Sequence, residues 1–418
     1  MRRRSRSILF VFILAGLASL VSAARAQTYS ILTSFDSSNG SNVFATPLID
    51  TLGNVFGTTQ NGGSGNCGVL YELVNNGEGS YTNRTLHNFT CGDDGREPYG
   101  GVVMDSAGNL YGTASAGGGA HKTGVVYELV NRGGGLYNFE VIHAFSNGND
   151  GGNPQGDLVR FKGSLYGVTL TGGGGKCKYG CGTVYRLTKS GGKWVETVLH
   201  VFNDQGDDGY WPWAGVALDS DGNIYGTTSH GGSFWHGTVF ELSPQGGSFS
   251  APEGSGSYKE TILHNFHGAA DGCHILSGVV LDSAGNLYGT APQCGKDSDG
   301  TVYQLKRSGS KYGFRVILTF SGPNGAFPEN EPGRLAVDSA GNVYGTALSD
   351  GANAVGTVFK LAAGSFLYTD LHDFSHNGTD GFSPAGGVTL DSLGNLYGTT
   401  TEGGSNGLYG TVWQIANP

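Results

Sequence analysis

Apolar residues along this chain come in short runs of four to nine, each closed off by a Gly, Asn or Asp cluster. One stretch shows four such runs in order: GVVMD (101–105), NLYGTA (109–114), GVVYEL (124–129) and YNFEVIHAF (137–145). Within the longer runs apolar and polar residues alternate with period two, and Val, Ile, Tyr and Phe dominate. That is the signature of half-buried strands. No long stretch places apolar residues at i, i+3, i+4 and i+7, so helices are not expected. The four runs are named here strands A, B, C and D.

The four-run pattern repeats. Aligned on the aromatic of the GNLYG element, it falls at Phe56, Tyr111, Tyr166, Tyr225, Tyr288, Tyr344 and Tyr397, seven units in all. The third is degenerate, reading KGSLYG at 162–167. Strand C recurs as GVLYEL, GVVYEL, GTVYRL, GTVFEL, GTVYQL, GTVFKL and GTVWQI. Strand D follows six of these. The missing seventh, YSILTSF, stands at 29–35, ahead of the first unit. A lone D strand at the start and a final unit of A, B and C predict a seven-bladed β-propeller, four strands per blade, closed by the N-terminal strand completing the last blade. Residues 27–418 are expected to form this single domain.

Ahead of it, residues 1–26 combine a basic start, an apolar core (8–21) and Ala24-Arg25-Ala26, the pattern of a secretory signal peptide. Nothing else approaches a membrane span. Removing this segment removes five of 24 basic residues and leaves 19 against 34 acidic, a net charge of −15. Such a surface repels phosphate backbones, so nucleic acid is not an expected partner. The mature chain is expected to be exported (periplasmic, extracellular or on the cell surface) and monomeric. Gly, at 76 of 418 residues, is placed in turns rather than spread through a disordered segment.

The sequence GNIYGTTSHGG…GTVFEL, in residues 222–242, resembles the Gloeobacter/Verrucomicrobia (GloVer) tandem repeat, and the likeness runs over 28–417. The DSxGNLY hairpin is similar, more weakly, to the NHL propeller repeats. The GloVer resemblance implies a secreted or surface-anchored protein and implies no particular activity. Members of that family often end in a sorting anchor; this sequence ends at Asn417-Pro418 with no such tail, a departure from the family pattern that leaves anchoring an open expectation.

The nine residues DSAGNLYGT occur twice, with near-copies in other units. We read them as the A–B hairpin: Asp105 accepts backbone N–H groups, Gly108 supplies a positive φ, Asn109 tolerates one, and Gly112 lets another sheet approach. Asp50, Asp105, Asp219, Asp282, Asp338 and Asp391 occupy the Asp position, with Arg160 expected there in the third unit. His87, His143, His200, His264 and His372 recur in D strands, replaced by Thr33 and Thr319, and are read as structural hydrogen-bonding groups. No metal site is assigned.

Uniform A–B turns leave the B–C and D–A loops as the variable face, where function belongs. Six cysteines lie there, and proximity selects Cys67–Cys91, Cys177–Cys181 and Cys273–Cys294 as disulfides, as an exported chain allows. The D–A loops repeat an Asp/Asn-Gly-x-x-Pro phrase. No cofactor is expected; the acid-rich loops (203–209 and 296–300) leave calcium as the one ion to consider, though neither has EF-hand spacing. One cluster breaks the repeat. YWPW (Tyr210, Trp211, Trp213) and SFWHG (Phe234, Trp235, His236) bring aromatics beside Asp207 and Asp208. These eight residues are the candidate ligand site, since sugar rings stack on indole faces and hydroxyls need polar partners. A local hydrophobic plug is the alternative. No nucleophile elbow, zinc-protease or phosphate-loop motif stands in a credible context, such as a strand-to-helix turn. The leading expectation is therefore a non-catalytic propeller binding a polysaccharide or envelope protein. A polysaccharide hydrolase or lyase drawing on Glu97, Asp207, Asp208, Glu329 or Glu331 is a second reading, and an envelope scaffold a third.

Overall fold

The computed structural model describes residues 27–245, 257–328 and 333–418, so the segment read as a signal peptide, and Glu329 and Glu331, lie outside the described residues. Seven antiparallel sheets are arranged in sequence order, each with the order A-B-C-D. The second blade is typical: Val103–Met104, Leu110–Ala114, Val125–Gly133 and Leu136–Ala144. The last blade takes its outer strand from the other end of the chain. Thr28–Ser34 pairs antiparallel with Thr411–Ala416, with Tyr29 opposite Ile415 and Ile31 opposite Trp413.

The A–B hairpin works through its Asp. Asp105 Oδ1 accepts the N–H groups of Ala107 (2.8 Å) and Asn109 (2.9 Å), while Oδ2 accepts from Asn109 Nδ2 and the Tyr111 hydroxyl. Gly108 has φ 78°, as expected, but Asn109 does not need a positive φ. Instead its Oδ1 accepts the N–H of Asn131, tying the hairpin to strand C. The same Asp–Asn arrangement recurs at Asp50, Asp219, Asp282, Asp338 and Asp391. In the third blade the turn is shorter. Arg160 pairs with Leu165 and Phe161 with Ser164, so Phe161, not Arg160, holds the Asp position.

Leu110 packs toward the first blade, in a cluster with Phe56, Leu70 and Phe89, and Tyr111 toward the third, with Leu165 and Tyr185. Alternation along the strand thus feeds two inter-blade cores. Gly112 serves a partner within its own blade rather than an adjacent sheet. It pairs across the sheet with Tyr127, and a Cβ there would meet the Tyr127 hydroxyl oxygen. Gly57/Tyr71, Gly167/Tyr185, Gly226/Phe240, Gly289/Tyr303 and Gly398/Trp413 repeat the pair.

The hydroxyls of Tyr71, Tyr127, Tyr185 and Tyr303 are buried with no hydrogen-bond partner among the described residues. Burial pushes the Tyr127 pKa far up, with the Asp157 charge adding to it. Phenylalanine already stands at this place in the fourth and sixth blades. An unpaired buried hydroxyl costs about 1–3 kcal/mol. Tyr127→Phe is therefore expected to match or exceed wild-type stability in urea unfolding; a clear loss would mean that the hydroxyl has a partner.

Around the axis, the residues that lead into strand A form a ring: Thr46, Gly101, Asp157, Gly215, Gly278, Arg334 and Gly387. Asp157 and Arg334, from non-neighbouring blades, meet across it at 4.0 Å. Asp157 Oδ1 also accepts the Gly101 N–H at 2.6 Å. The void left beside this pair is about 10 Å³, room for about one water at most. Among the described residues, this ring narrows the propeller axis to that void.

Candidate functional site

On the face of the B–C and D–A loops, each D–A loop forms a ladder contact with the B–C loop of the blade it enters, as Gly209–Tyr210 does with His230–Gly231 and Gly381–Phe382 with Glu402–Gly403. The residue ending this contact has positive φ in all seven blades: Asn42 (56°), Glu97 (57°), Asn153 (53°), Trp211 (57°), His274 (53°), Phe327 (51°) and Ser383 (55°). The cause is a stitch between blades. Its N–H donates to the preceding blade's B–C loop, as Trp211 does to the Cys181 carbonyl at 2.9 Å. Its carbonyl accepts from its own blade, as Trp211 does from the Ser229 N–H at 3.1 Å.

A left-handed backbone suits Gly, and Asn accepts it with little strain. For Trp, Phe, Glu or His it costs on the order of 1–2 kcal/mol. Four of the seven positions nevertheless carry these larger side chains, ringed on one face. Two residues further along, six of the loops give a second set among the described residues: Phe44, Tyr99, Gln155, Trp213, Leu276 and Ala385. Phe44 and Tyr99 lie 5.5 Å apart, ring to ring. Gln155 Oε1 and Trp213 Nε1, in neighbouring blades, are both buried without partners among the described residues.

The fourth blade gathers the densest group. Tyr210 stacks on His230 at 5.6 Å, Trp211 meets His230 edge-on at 5.0 Å, and His274 lies 5.1 Å from His230. Trp211 Nε1 donates to the Gly180 carbonyl. Burial lowers the pKa of His230 and His274, and repulsion from His236 lowers both further. These imidazoles are neutral near pH 7 and can donate or accept. Phe234 and Trp235 stand apart, 46% and 62% exposed, with Phe234 tilted over His267 at 4.0 Å. The sequence thus brings Tyr210 and Trp211 into one group and leaves Phe234 and Trp235 on an outer lip. It did not reveal His230, His274 or Phe327. The available signal for the last two was their place in the repeated D–A phrase.

The acids predicted beside the aromatics are otherwise engaged. Asp207 Oδ1 accepts from Ser233 Oγ at 2.6 Å. Asp208 Oδ2 accepts from Asn203 N at 3.0 Å and Nδ2 at 2.6 Å, so its carboxylate turns toward the fold. It belongs to a repeated device. Asp94, Asp150, Asp208, Asp271 and Asp380 each accept the N–H that follows the strand-D phenylalanine and each face the strand-D histidine. Where the histidine is missing, the acid becomes Asn: Asn39 goes with Thr33 and Asn324 with Leu318. Strand register puts Leu318, not Thr319, at the histidine position. Leucine there rules out a shared hydrogen-bonding role for all seven residues. The carboxylate appears only where an imidazole can face it, which keeps a buried charge accompanied.

The structure joins Cys67 to Cys91, Cys177 to Cys181 and Cys273 to Cys294, with Cα separations of 5.5, 5.2 and 5.5 Å. They brace loops of blades 1, 3 and 5 on the ring face. A hollow of about 330 Å³ opens on the opposite face between blades 1 and 7; of its three acids, Asp50 and Asp391 are held inside the hairpin turns and Glu78 is an exposed residue of a C–D turn.

The model of the Gloeobacter/Verrucomicrobia repeat matches residues 19–178, 137–258 and 249–418. No curated protein matches the chain. Among solved structures, the fold is similar to a hypothetical selenium-binding protein of Sulfolobus tokodaii (10% identity, TM-score 0.56, covering 87% of this chain and 88% of that one). It is also similar to two proteins provisionally named 6-phosphogluconolactonases. The one from Bacteroides uniformis has 12% identity, TM-score 0.53 and coverage of 84% and 89%; the one from Bacteroides fragilis has 12%, 0.51, and 82% and 87%. At these identities the likeness is one of fold.

Proposed function

The chain belongs to the Gloeobacter/Verrucomicrobia repeat family, and from that footing we propose that it is an exported, non-catalytic propeller whose ring face binds a carbohydrate. One observation carries this reading: Trp211, His274, Phe327 and Glu97 occupy left-handed positions that Gly or Asn would fill at lower cost. Strain kept at a solvent-facing rim is retained for what the side chains touch. Indole and imidazole faces suit the apolar C–H face of a sugar, and the half-buried His230 and His274 stand beside Trp211 as hydrogen-bonding groups for hydroxyls. Export is supported by the N-terminal pattern and the three disulfides. Among the described residues no helix is long and apolar enough to cross a membrane. The sugar-lactone names of two similar folds add little at 12% identity.

The hydrolase reading finds less support. Asp207 and Asp208 are bound within the loops, and Glu97 sits 3.6 Å from Arg96. The test is titration of residues 27–418 with a panel of soluble polysaccharides, read by tryptophan fluorescence. A saturable change without new reducing ends is expected. Polymer cleavage would replace binding with catalysis, and silence from every polymer would overturn the carbohydrate reading.

A further inference from the structure

Each strand-D histidine faces the next blade's D strand, and what it meets there comes in two kinds. Phe139 stacks on His87 at 3.9 Å, Phe314 on His264 at 3.6 Å and Tyr29 on His372 at 3.6 Å. At these three interfaces the histidine reaches its loop Asp at 3.0 or 3.1 Å, an ordinary hydrogen bond. At the other two the aromatic is replaced by an acid, Glu196 opposite His143 and Glu260 opposite His200. There the His–Asp distance opens to 3.9 and 3.8 Å.

Between blades 3 and 4 the opening is complete. His200 Nε2, Asp208 Oδ1 and Glu260 Oε1 are all buried, and none has a hydrogen-bond partner among the described residues. They lie within 4.8 Å of one another, with Nε2 3.8 Å from the Asp208 oxygen and 3.6 Å from the Glu260 oxygen. The Asp208 side chain is only 9% exposed, yet this oxygen is aimed at its two neighbours and bonds neither. We propose that this interface binds a divalent transition-metal ion of the zinc class through His200, Asp208 and Glu260.

Donors held 2.0–2.2 Å from one tetrahedral zinc sit roughly 3.3–3.6 Å apart, so the 3.6 Å between His200 and Glu260 fits an ion directly and Asp208, at 3.8 Å from His200, closes by a few tenths of an ångström on binding. One imidazole and two carboxylates suit zinc and its neighbours, while calcium takes six to eight oxygens. Asn203 fixes the outer face of the Asp208 carboxylate, as a ligand's support does. Two similar groups lack a free carboxylate oxygen or an open spacing. His143 Nε2 and Glu196 Oε1 are also buried without partners among the described residues, but Asp150 beside them already accepts from Ser146 and Gly148 with both oxygens. His264, His267 and Asp271 are already joined at 3.0 and 3.1 Å.

The test uses the disulfide-bonded chain, residues 27–418, stripped with EDTA. Zinc is titrated against a chromophoric chelator, and cobalt is added separately for its visible bands. One ion per chain is expected, with cobalt giving bands of low coordination number. Glu260→Gln is expected to weaken zinc at least ~10-fold while keeping the wild-type circular dichroism; Glu196→Gln is expected to bind as wild type. No stoichiometric zinc would overturn the proposal. So would zinc that survives Glu260→Gln and is lost in Asp271→Asn, which would place the ion at His264 and His267. A wild type that binds no zinc and gains stability on Glu260→Gln would mean that Asp208 and Glu260 share a proton.

Discussion

A chain that begins at Asp36 is expected not to fold. Removing residues 27–35 takes away the outer strand of the last blade and leaves Thr411–Ala416 as an open edge. It also strips cover from Trp413 and Ile415, whose cluster includes Tyr29 and Ile31. Leu32 and Phe35 are themselves buried, and Phe35 packs edge-on against Tyr71 of the first blade at 5.1 Å. Four large side chains at about 1.5–3 kcal/mol each come to roughly 6–12 kcal/mol, the size of a whole domain's stability. Insoluble protein, or loss of a cooperative unfolding transition, is the expected outcome. Joining the same residues after Pro418 should restore the fold. Thr28 already lies opposite Ala416, so the junction becomes a C–D hairpin like those of the other blades. A truncated chain that unfolds like the wild type would show that ring closure contributes little.

The second large effect is expected from one methyl group. Gly112→Ala places a Cβ 2.3 Å from the Tyr127 hydroxyl oxygen and 2.6 Å from its ring carbon Cζ. Tyr127 is fully buried and cannot swing away, so its ring or the strand must shift. Overpacking of this kind costs about 1–3 kcal/mol, and the upper end is expected because backbone holds both sides. Urea unfolding measures it, and a cycle with Tyr127→Leu tests the cause. With the ring gone, the alanine should cost much less. Equal losses in both backgrounds would place the strain elsewhere.

Seven repeats, the four strands of each and the borrowed N-terminal strand were legible, because a period of two and a fixed punctuation survive in every copy. What escaped depended on pairing. Gly112 could be seen as a strand glycine, but its reason lies 15 residues on, in Tyr127, and appears only with the strand register. Arg160 and Thr319 were each placed one residue off. A shortened turn shifts the first, and in the second Leu318, beside the bulge in strand D, was taken for its neighbour. Asp157 and Arg334 meet across the axis from distant parts of the chain, and no local pattern announces that. The histidine device was half visible. Asn39 and Asn324 replace Asp in the two units that lack the histidine, a covariation within one sequence. The rim positions could be found from the repeated D–A phrase, but their left-handed backbone had no signal. A residue before proline is ordinarily extended, and only the loop stitching forces Glu97, Trp211 and Phe327 out of that habit.

The ring-face account is tested most directly by Trp211→Gly, with stability and polysaccharide binding measured on the same protein. Glycine relieves the left-handed strain but loses the packing of a half-buried indole, and the two nearly offset. The account predicts stability within about 1 kcal/mol of wild type and loss of saturable binding. Binding that persists while stability falls by several kcal/mol would contradict it, and Trp211 would then be a plug that holds blade 4 to its neighbour.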